Sequence, residues 1–197
     1  GEKSMRILSK ALIVYGTRYG AAAGTSDVIA RILREEGFDV RVVNAKEEKV
    51  RDISEYELVV VGSGIQINRW TSEPEKFLQK FQKELAKKKV APFVCCGSAS
   101  QTTDQPEVAT KARRKYLDEK AAKYNLQPVA LGLFGGVYNF NRWPWWAGKA
   151  KPMAKQQLDA AGFKETKPGF YDTRDWNDIR NWAKELVTSK KLGSATS

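Results

Sequence analysis

Short apolar runs recur along this chain, and between them the apolar spacing lengthens to three and four residues. Ala11-Leu12-Ile13-Val14-Tyr15 is the first run and ends at Gly16. Val28, Ile29, Ile32 and Leu33 then follow a helical period, and Gly37 stands where a left-handed residue closes a helix. Phe38-Asp39-Val40-Arg41-Val42 alternates as a half-covered strand does, whereas Leu58-Val59-Val60-Val61 is apolar on both faces and suits a central parallel strand. Ala91 to Cys96 and Val129 to Phe134 read as a fourth and a fifth strand. Pro74 and Pro106 sit where first-turn prolines open helices. A final helix carries Trp176, Ile179, Ala183 and Leu186 on one side. Strands alternating with helices predict an α/β fold, a doubly wound five-stranded parallel sheet covered on both faces.

In such a sheet, ligands bind beyond the carboxyl ends of the strands. The first of those loops runs from Gly16 to Thr25 and joins a buried strand to a helix N-terminus. Small, hydroxylated and glycine-rich, it can turn backbone N–H groups toward a phosphate, aided by the helix dipole. Its residues exclude several nucleotide sites. No Gly-Lys-Ser/Thr closes it, its glycines at 16, 20 and 24 do not follow G-x-G-x-x-G, and Asn44 stands where a ribose-binding acid would. The loop at Gly62–Trp70 and the one at Gly97–Asp104 offer amides and hydroxyls to the edge of a planar ligand, with Trp70 either stacked on its face or packed in the core.

The chain has no histidine, and its two cysteines are the adjacent Cys95 and Cys96. Histidine-based nucleophile systems, histidine metal sites and a four-thiolate zinc site are thereby excluded. No residue presents itself as catalytic and none as a metal ligand. Any chemistry near neutral pH would then come from a bound cofactor.

Residues 135–172 separate the fifth strand from the last helix, too far for a simple connection. Within them lies Tyr138-Asn139-Phe140-Asn141-Arg142-Trp143-Pro144-Trp145-Trp146, followed by Lys149, Lys151 and Lys155. Two readings stand: aromatics and cations seated on an anionic membrane surface or a flat polycyclic substrate, or aromatics that cap the sheet edge or form a homodimer patch. The net charge is +11, and residues 1–60 carry none of the excess. An anionic partner is one explanation and solubility another. The runs Lys87–Lys89 and Lys111–Lys115 are better read as solvated helix faces than as nucleic-acid contacts.

Thr17-Arg18-Tyr19-Gly20-Ala21-Ala22 resembles the flavodoxin phosphate loop, usually T-x-T-G-x-T. Together with Val60-Val61-Gly62-Ser63-Gly64-Ile65 and the Asp175-Trp176 pair opening the last helix, it most resembles the flavodoxin-domain family that includes menaquinone-dependent protoporphyrinogen oxidases. The resemblance implies an FMN-binding flavodoxin-like domain over residues 10–189, with strand order 2-1-3-4-5 and the insertion before the last helix. Residues 1–9 and 190–197 are expected to fray. Thr17, Arg18, Tyr19, Gly20, Ala21 and Ala22 would hold the phosphate, leaning on backbone amides because Ala22 lacks the usual hydroxyl. Ser63, Gly64, Ile65, Gln66, Gly97, Ser98, Ala99 and Ser100 would hold the flavin ring, with Gly135 and Gly136 bordering it. The implied activity is electron transfer through the flavin, quinone-linked as in the oxidases or between protein partners as in flavodoxins. Electron-shuttling flavodoxins resemble one another in being acidic. This basic chain is expected to hold its flavin at a less negative potential. The expected location is cytoplasmic, with peripheral membrane association through Arg142–Trp146.

Overall fold

The computed structural model describes residues 8–97 and 106–189. In chain order these form β1 (Lys10–Gly16), α1 (Ala21–Glu35), β2 (Asp39–Asn44), β3 (Leu58–Gln66), β4 (Arg69–Trp70), α2 (Ser72–Lys80), α3 (Gln82–Leu85) and β5 (Lys89–Cys95). Then come α4 (Pro106–Arg113), α5 (Glu119–Lys123), β6 (Gly132–Phe134), β7 (Val137–Asn139), α6 (Ala150–Ala160), β8 (Glu165–Lys167), β9 (Phe170–Asp172) and α7 (Trp176–Thr188). The expectations for the loop at Ser98–Ser100 and for fraying at residues 1–7 and 190–197 lie outside the described residues.

Five parallel strands run in the order β2-β1-β3-β5-β6, which is the expected 2-1-3-4-5 once the short ribbon β4 is set aside. Strand periodicity sorts the apolar side chains onto two faces. Leu12, Val14, Val59, Val61 and Val94 meet α2 and the 106–123 helix through Phe77, Leu78, Phe81, Tyr116 and Leu117. Ala11, Ile13, Val60, Ala91 and Phe93 meet α1 and α7 through Ile29, Leu33, Ile179, Trp182 and Leu186. The sheet is thus buried on both sides, and its C-terminal edge is left for a ligand. Gly37 closes α1 as the sequence predicts: its φ is 95°, and Phe38 N donates to Leu33 O at 3.0 Å.

Three features depart from the expectation. The fifth strand pairs only over Gly132–Phe134, with an isolated bridge between Val90 and Pro128 upstream. The third strand continues through Gln66 and folds back on itself, pairing Ile65 with Trp70 and Gln66 with Arg69. The insertion is an organised unit. β7, β9 and β8 make an antiparallel sheet, α6 packs beside it, and Phe140, Leu158 and Tyr171 form its own small core. Phe140 meets Tyr171 edge-on with ring centroids 5.7 Å apart and tilts against Trp143 at 4.9 Å. Such contacts add about 0.5–1.5 kcal/mol each beyond area burial.

Candidate functional site

A cavity of about 650 Å³ opens at the C-terminal edge of the sheet, within the ordinary range for small-ligand sites of roughly 300–1,000 Å³. Three strand ends and the insertion build it. After β1 come Thr17, Arg18 and Tyr19, with Ala21 opening α1. β3 and its hairpin contribute Gly64, Ile65, Gln66 and Ile67. The end of β5 brings Cys95, Cys96 and Gly97. Gly136, Val137 and Tyr138 line the side beyond β6, and Arg142, Trp143, Pro144 and Trp146 close the wall.

The phosphate end has the chemistry the loop sequence implies. Gly20 holds a φ of 90° at the N-cap of α1, and its N–H is tied back to Thr17 Oγ1 at 2.9 Å. No side chain caps the helix, and no acid lies in its first turn. The first-turn amides of a fifteen-residue helix are therefore available to an anion at the positive end of the dipole. Ala22 is fully buried in the core, so it contributes its backbone and not its side chain.

Arg174 locks this turn in place. Its guanidinium grips the Asp172 carboxylate through two nitrogens at 2.9 and 2.7 Å, donates to Ala21 O at 3.0 Å, and lies 4.4 Å from the Trp176 ring centroid. Burial opposes charge on Asp172, but the Arg174 hydrogen bonds outweigh it and hold the carboxyl below its usual range. A Cβ on Gly24 would fall 2.7 Å from Arg174 Nη1, so the helix needs glycine there to let the clamp approach.

Several expected ligand contacts are instead supports. Trp70 is buried, and its indole donates to Tyr116 O at 2.9 Å, so it packs in the core and does not line this cavity. Ser63 is fully buried; its hydroxyl donates to Gly64 O at 2.7 Å and accepts from Thr71 N at 2.8 Å. It fastens the end of β3 to the start of α2 and does not line the cavity. Gly135 presses on Thr173, where a Cβ would lie 2.2 Å from the carbonyl oxygen. Gly136 does line the cavity and exchanges hydrogen bonds with Thr173. Gly64, Ile65, Gln66 and Gly97 line the cavity as expected, while Ser98, Ala99 and Ser100 are outside the described residues.

Tyr138 and the wall from Arg142 to Trp146 were not among the expected cofactor contacts. Only the density of aromatic and basic residues in the insertion pointed there. Gly97 lets Tyr138 lie against the backbone: a Cβ there would fall 1.8 Å from Tyr138 Oη and push the ring aside. Burial raises the Tyr138 phenol above its usual range, so it stays neutral and can donate. Cys95 touches Thr25 Oγ1 at 3.5 Å, and burial pushes its thiol up to about 12. It is not a thiolate nucleophile at neutral pH. Among the described residues no cluster of acids, cysteines or histidines could hold a metal ion.

A family model described as a flavodoxin domain matches residues 12–152, which span this sheet and its phosphate loop. The chain belongs to the flavodoxin domain family. Flavodoxin-domain folds recur among solved structures. Flavodoxin 1 from Bacillus cereus aligns over 91% of this chain and 97% of its own, with a TM-score of 0.53 and 17% identity. A flavodoxin from Streptococcus pneumoniae TIGR4 aligns over 91% and 98%, with a TM-score of 0.53 and 15% identity. Among curated relatives, the "Protoporphyrinogen IX dehydrogenase [quinone]" of Escherichia coli K12 is 24% identical over 184 residues, 90% of this chain and 94% of that protein.

FMN is the cofactor of this flavodoxin domain, which belongs to a family of FMN-binding electron carriers. The cavity fits the group on its own chemistry: open amides at the start of α1 for a phosphate, and a slot walled by Ile65, Gln66, Gly97 and Tyr138 for a flat ring.

Proposed function

We propose that this protein is an FMN-dependent oxidoreductase that exchanges electrons with a quinone. Bound FMN supplies one- or two-electron transfer. The chain's own residues supply placement. First-turn amides of α1 and Thr17 fix the phosphate, while the Gly64–Ile67 and Cys95–Gly97 segments flank the ring. Tyr138, on the same lining, would offer a neutral hydroxyl donor to the bound cofactor. The insertion carries this reading. Trp143, Pro144 and Trp146 build an apolar wall over the cavity, which a carrier that only meets other proteins at an open flavin edge does not need. Such a wall excludes water and seats a second flat molecule against the first. The curated relative named for a quinone supports the same choice of acceptor.

The rim suits a lipid-soluble partner. Ile67 is 83% exposed and Trp146 74%, both on the cavity lining with Arg18 and Arg142, and the neighbouring Trp145 is 92% exposed. Exposed tryptophans interleaved with cations seat at the headgroup level of anionic bilayers. Among the described residues no helix is long and apolar enough to cross a membrane. Association by this route is peripheral.

Anaerobic reduction of the FMN-loaded protein, followed by stopped-flow reoxidation with menadione, tests the reading. Trp146→Ala should slow reoxidation by the quinone about tenfold, roughly 1.4 kcal/mol of placement, and leave a small flavodoxin-type protein acceptor unaffected. Equal rates for wild type and variant, or reoxidation by protein acceptors alone, would refute it. Vesicles of phosphatidylglycerol and phosphatidylcholine should retain the wild type and release the Trp145→Ala, Trp146→Ala double variant.

A further inference from the structure

Beside the flavin cavity lies a second one of about 560 Å³, separated from it by a ridge of Thr17, Arg18, Gln66 and Ile67 that lines both. Four cations face this annex: Arg18 from the phosphate loop, Lys46 after β2, Arg69 from the hairpin and Arg142 from the insertion. They come from four separate segments of the chain, so helical or strand periodicity does not account for their meeting. None of the four has an ion-pair partner among the described residues. Trp70, with Thr71 and Ser72 at the N-terminus of α2, completes the lining, and Glu73 is its one carboxylate.

Like charges gathered in a cleft repel each other unless an anion is held there, and a cleft concentrates the field of its walls. The cofactor's phosphate does not answer this need. Its amide donors at the start of α1 serve the flavin cavity, and of that turn only Thr17 and Arg18 reach the annex. Arg69 in particular is held facing the annex from outside the flavin cavity. Tyr116 pins its hairpin at both sides, accepting from the Trp70 indole through its carbonyl and donating from its hydroxyl to Asn68 Oδ1 at 3.2 Å.

We propose that the annex binds the anionic end of the electron donor that reduces the flavin, by its carboxylate or phosphate groups, while the quinone that reoxidises it needs no such group. The flat part of that donor then lies across the ridge in the main cavity, and Arg142, which lines both, is the hinge between them. This rests on the reading of the main cavity as a flavin site with room for a second molecule.

Calorimetric titration of the FMN-loaded protein with two redox-inert probes tests it: mesoporphyrin for carboxylates and 2′,5′-ADP for phosphates. At least one should bind, with affinity falling as salt rises. The Lys46→Gln, Arg69→Gln double variant should bind that probe at least tenfold more weakly and keep wild-type affinity for FMN. Arg69→Lys in place of Arg69→Gln should restore most of the binding. The probe that binds identifies the source of the anion. Failure of both probes, binding that the double variant retains, or a loss of FMN affinity in the double variant would each overturn the proposal. If the menadione test fails while a probe still binds through Lys46 and Arg69, the annex stands and the quinone reading falls.

Discussion

Ile67 and Asn68 have φ values of 49° and 59°, both in the left-handed region, at the two-residue turn between β3 and β4. Positive φ at both central positions marks type I′ hairpins, which favour asparagine and glycine. Asn68 suits that geometry. Ile67, β-branched, is strained there by about 1–3 kcal/mol. It is nevertheless exposed at the mouth of the flavin cavity. Ile67→Asn should raise stability by about 1 kcal/mol, measured by urea denaturation, while slowing quinone reduction. A variant no more stable than the wild type would contradict the strain. No local pattern in Gly62–Trp70 announced this hairpin, because alternation of side chains is the same in a strand that ends and in one that turns back. The pairing is decided by Tyr116, some fifty residues away in sequence, which holds both Trp70 and Asn68. Trp70 itself shows the limit of reading residue types: an indole near a ligand loop suits stacking or packing equally, and burial chooses.

At the scale of elements, the link between the insertion and the phosphate loop is one side chain. Arg174 follows β9, precedes α7 and bonds the first residue of α1. Arg174→Met leaves the partly buried Asp172 carboxylate unpaired. It should destabilise the fold by about 2 kcal/mol and weaken FMN binding severalfold, read by flavin fluorescence quenching. Arg174→Lys should recover little, since an ammonium cannot reproduce the two-pronged contact. Unchanged flavin affinity in a folded Arg174→Met protein would dissociate the clamp from the loop. A second knot joins α2 to α5. Glu75 accepts from Lys120, Tyr124 and Lys123 at 2.9, 2.7 and 3.2 Å. Burial opposes its charge, but those bonds outweigh it and lower its pKa to about 2. A carboxyl with a depressed folded pKa stabilises fully above its unfolded value of about 4.3 and loses that contribution as pH falls toward 2. With solvent screening this amounts to about 1–2 kcal/mol. Glu75→Gln should therefore flatten the acid limb of the stability–pH curve between about pH 4.5 and 2. A limb of wild-type slope in the variant would show that other carboxylates govern it. The Gly37 stop and the first-turn prolines Pro74 and Pro106 were readable from residue type, and Asp175 at the head of α7 came with the family resemblance; cross-element knots such as these were not readable, since they join positions far apart in the chain.

For the whole molecule, charge is the property that separates this chain from acidic electron carriers. Its net charge of +11 lies beyond residue 60, and Arg18, Arg69 and Arg142 stand close to the flavin cavity. Cations near the ring favour the added negative charge of the reduced cofactor, and about 1.4 kcal/mol corresponds to roughly 59 mV for a one-electron step. Charges beyond about 8–10 Å are mostly screened, so these few residues matter more than the total. Redox titration should give a potential less negative than that of acidic flavodoxins, and Arg142→Gln should lower it. A potential as low as theirs would contradict this. The basic run at Lys87–Lys89 is not the solvated helix face its charges suggested: it joins α3 to β5, and Lys88 donates to Tyr56 O at 2.6 Å, strapping that turn to a neighbouring loop.

The amino-acid sequence on its own determined the layering of this protein. Strand and helix periods, the run of apolar residues in the third strand and the small residues of the first loop specify a two-sided parallel sheet with an anion site at its edge, because each follows from contacts within a few residues. Tertiary structure alone decided that the insertion folds into a separate small sheet and walls the flavin cavity, that Ser63 and Trp70 do not line that cavity, and that four distant cations share one annex. Those outcomes depend on which surfaces meet when the chain closes, and no local pattern encodes a meeting between residues more than a hundred positions apart.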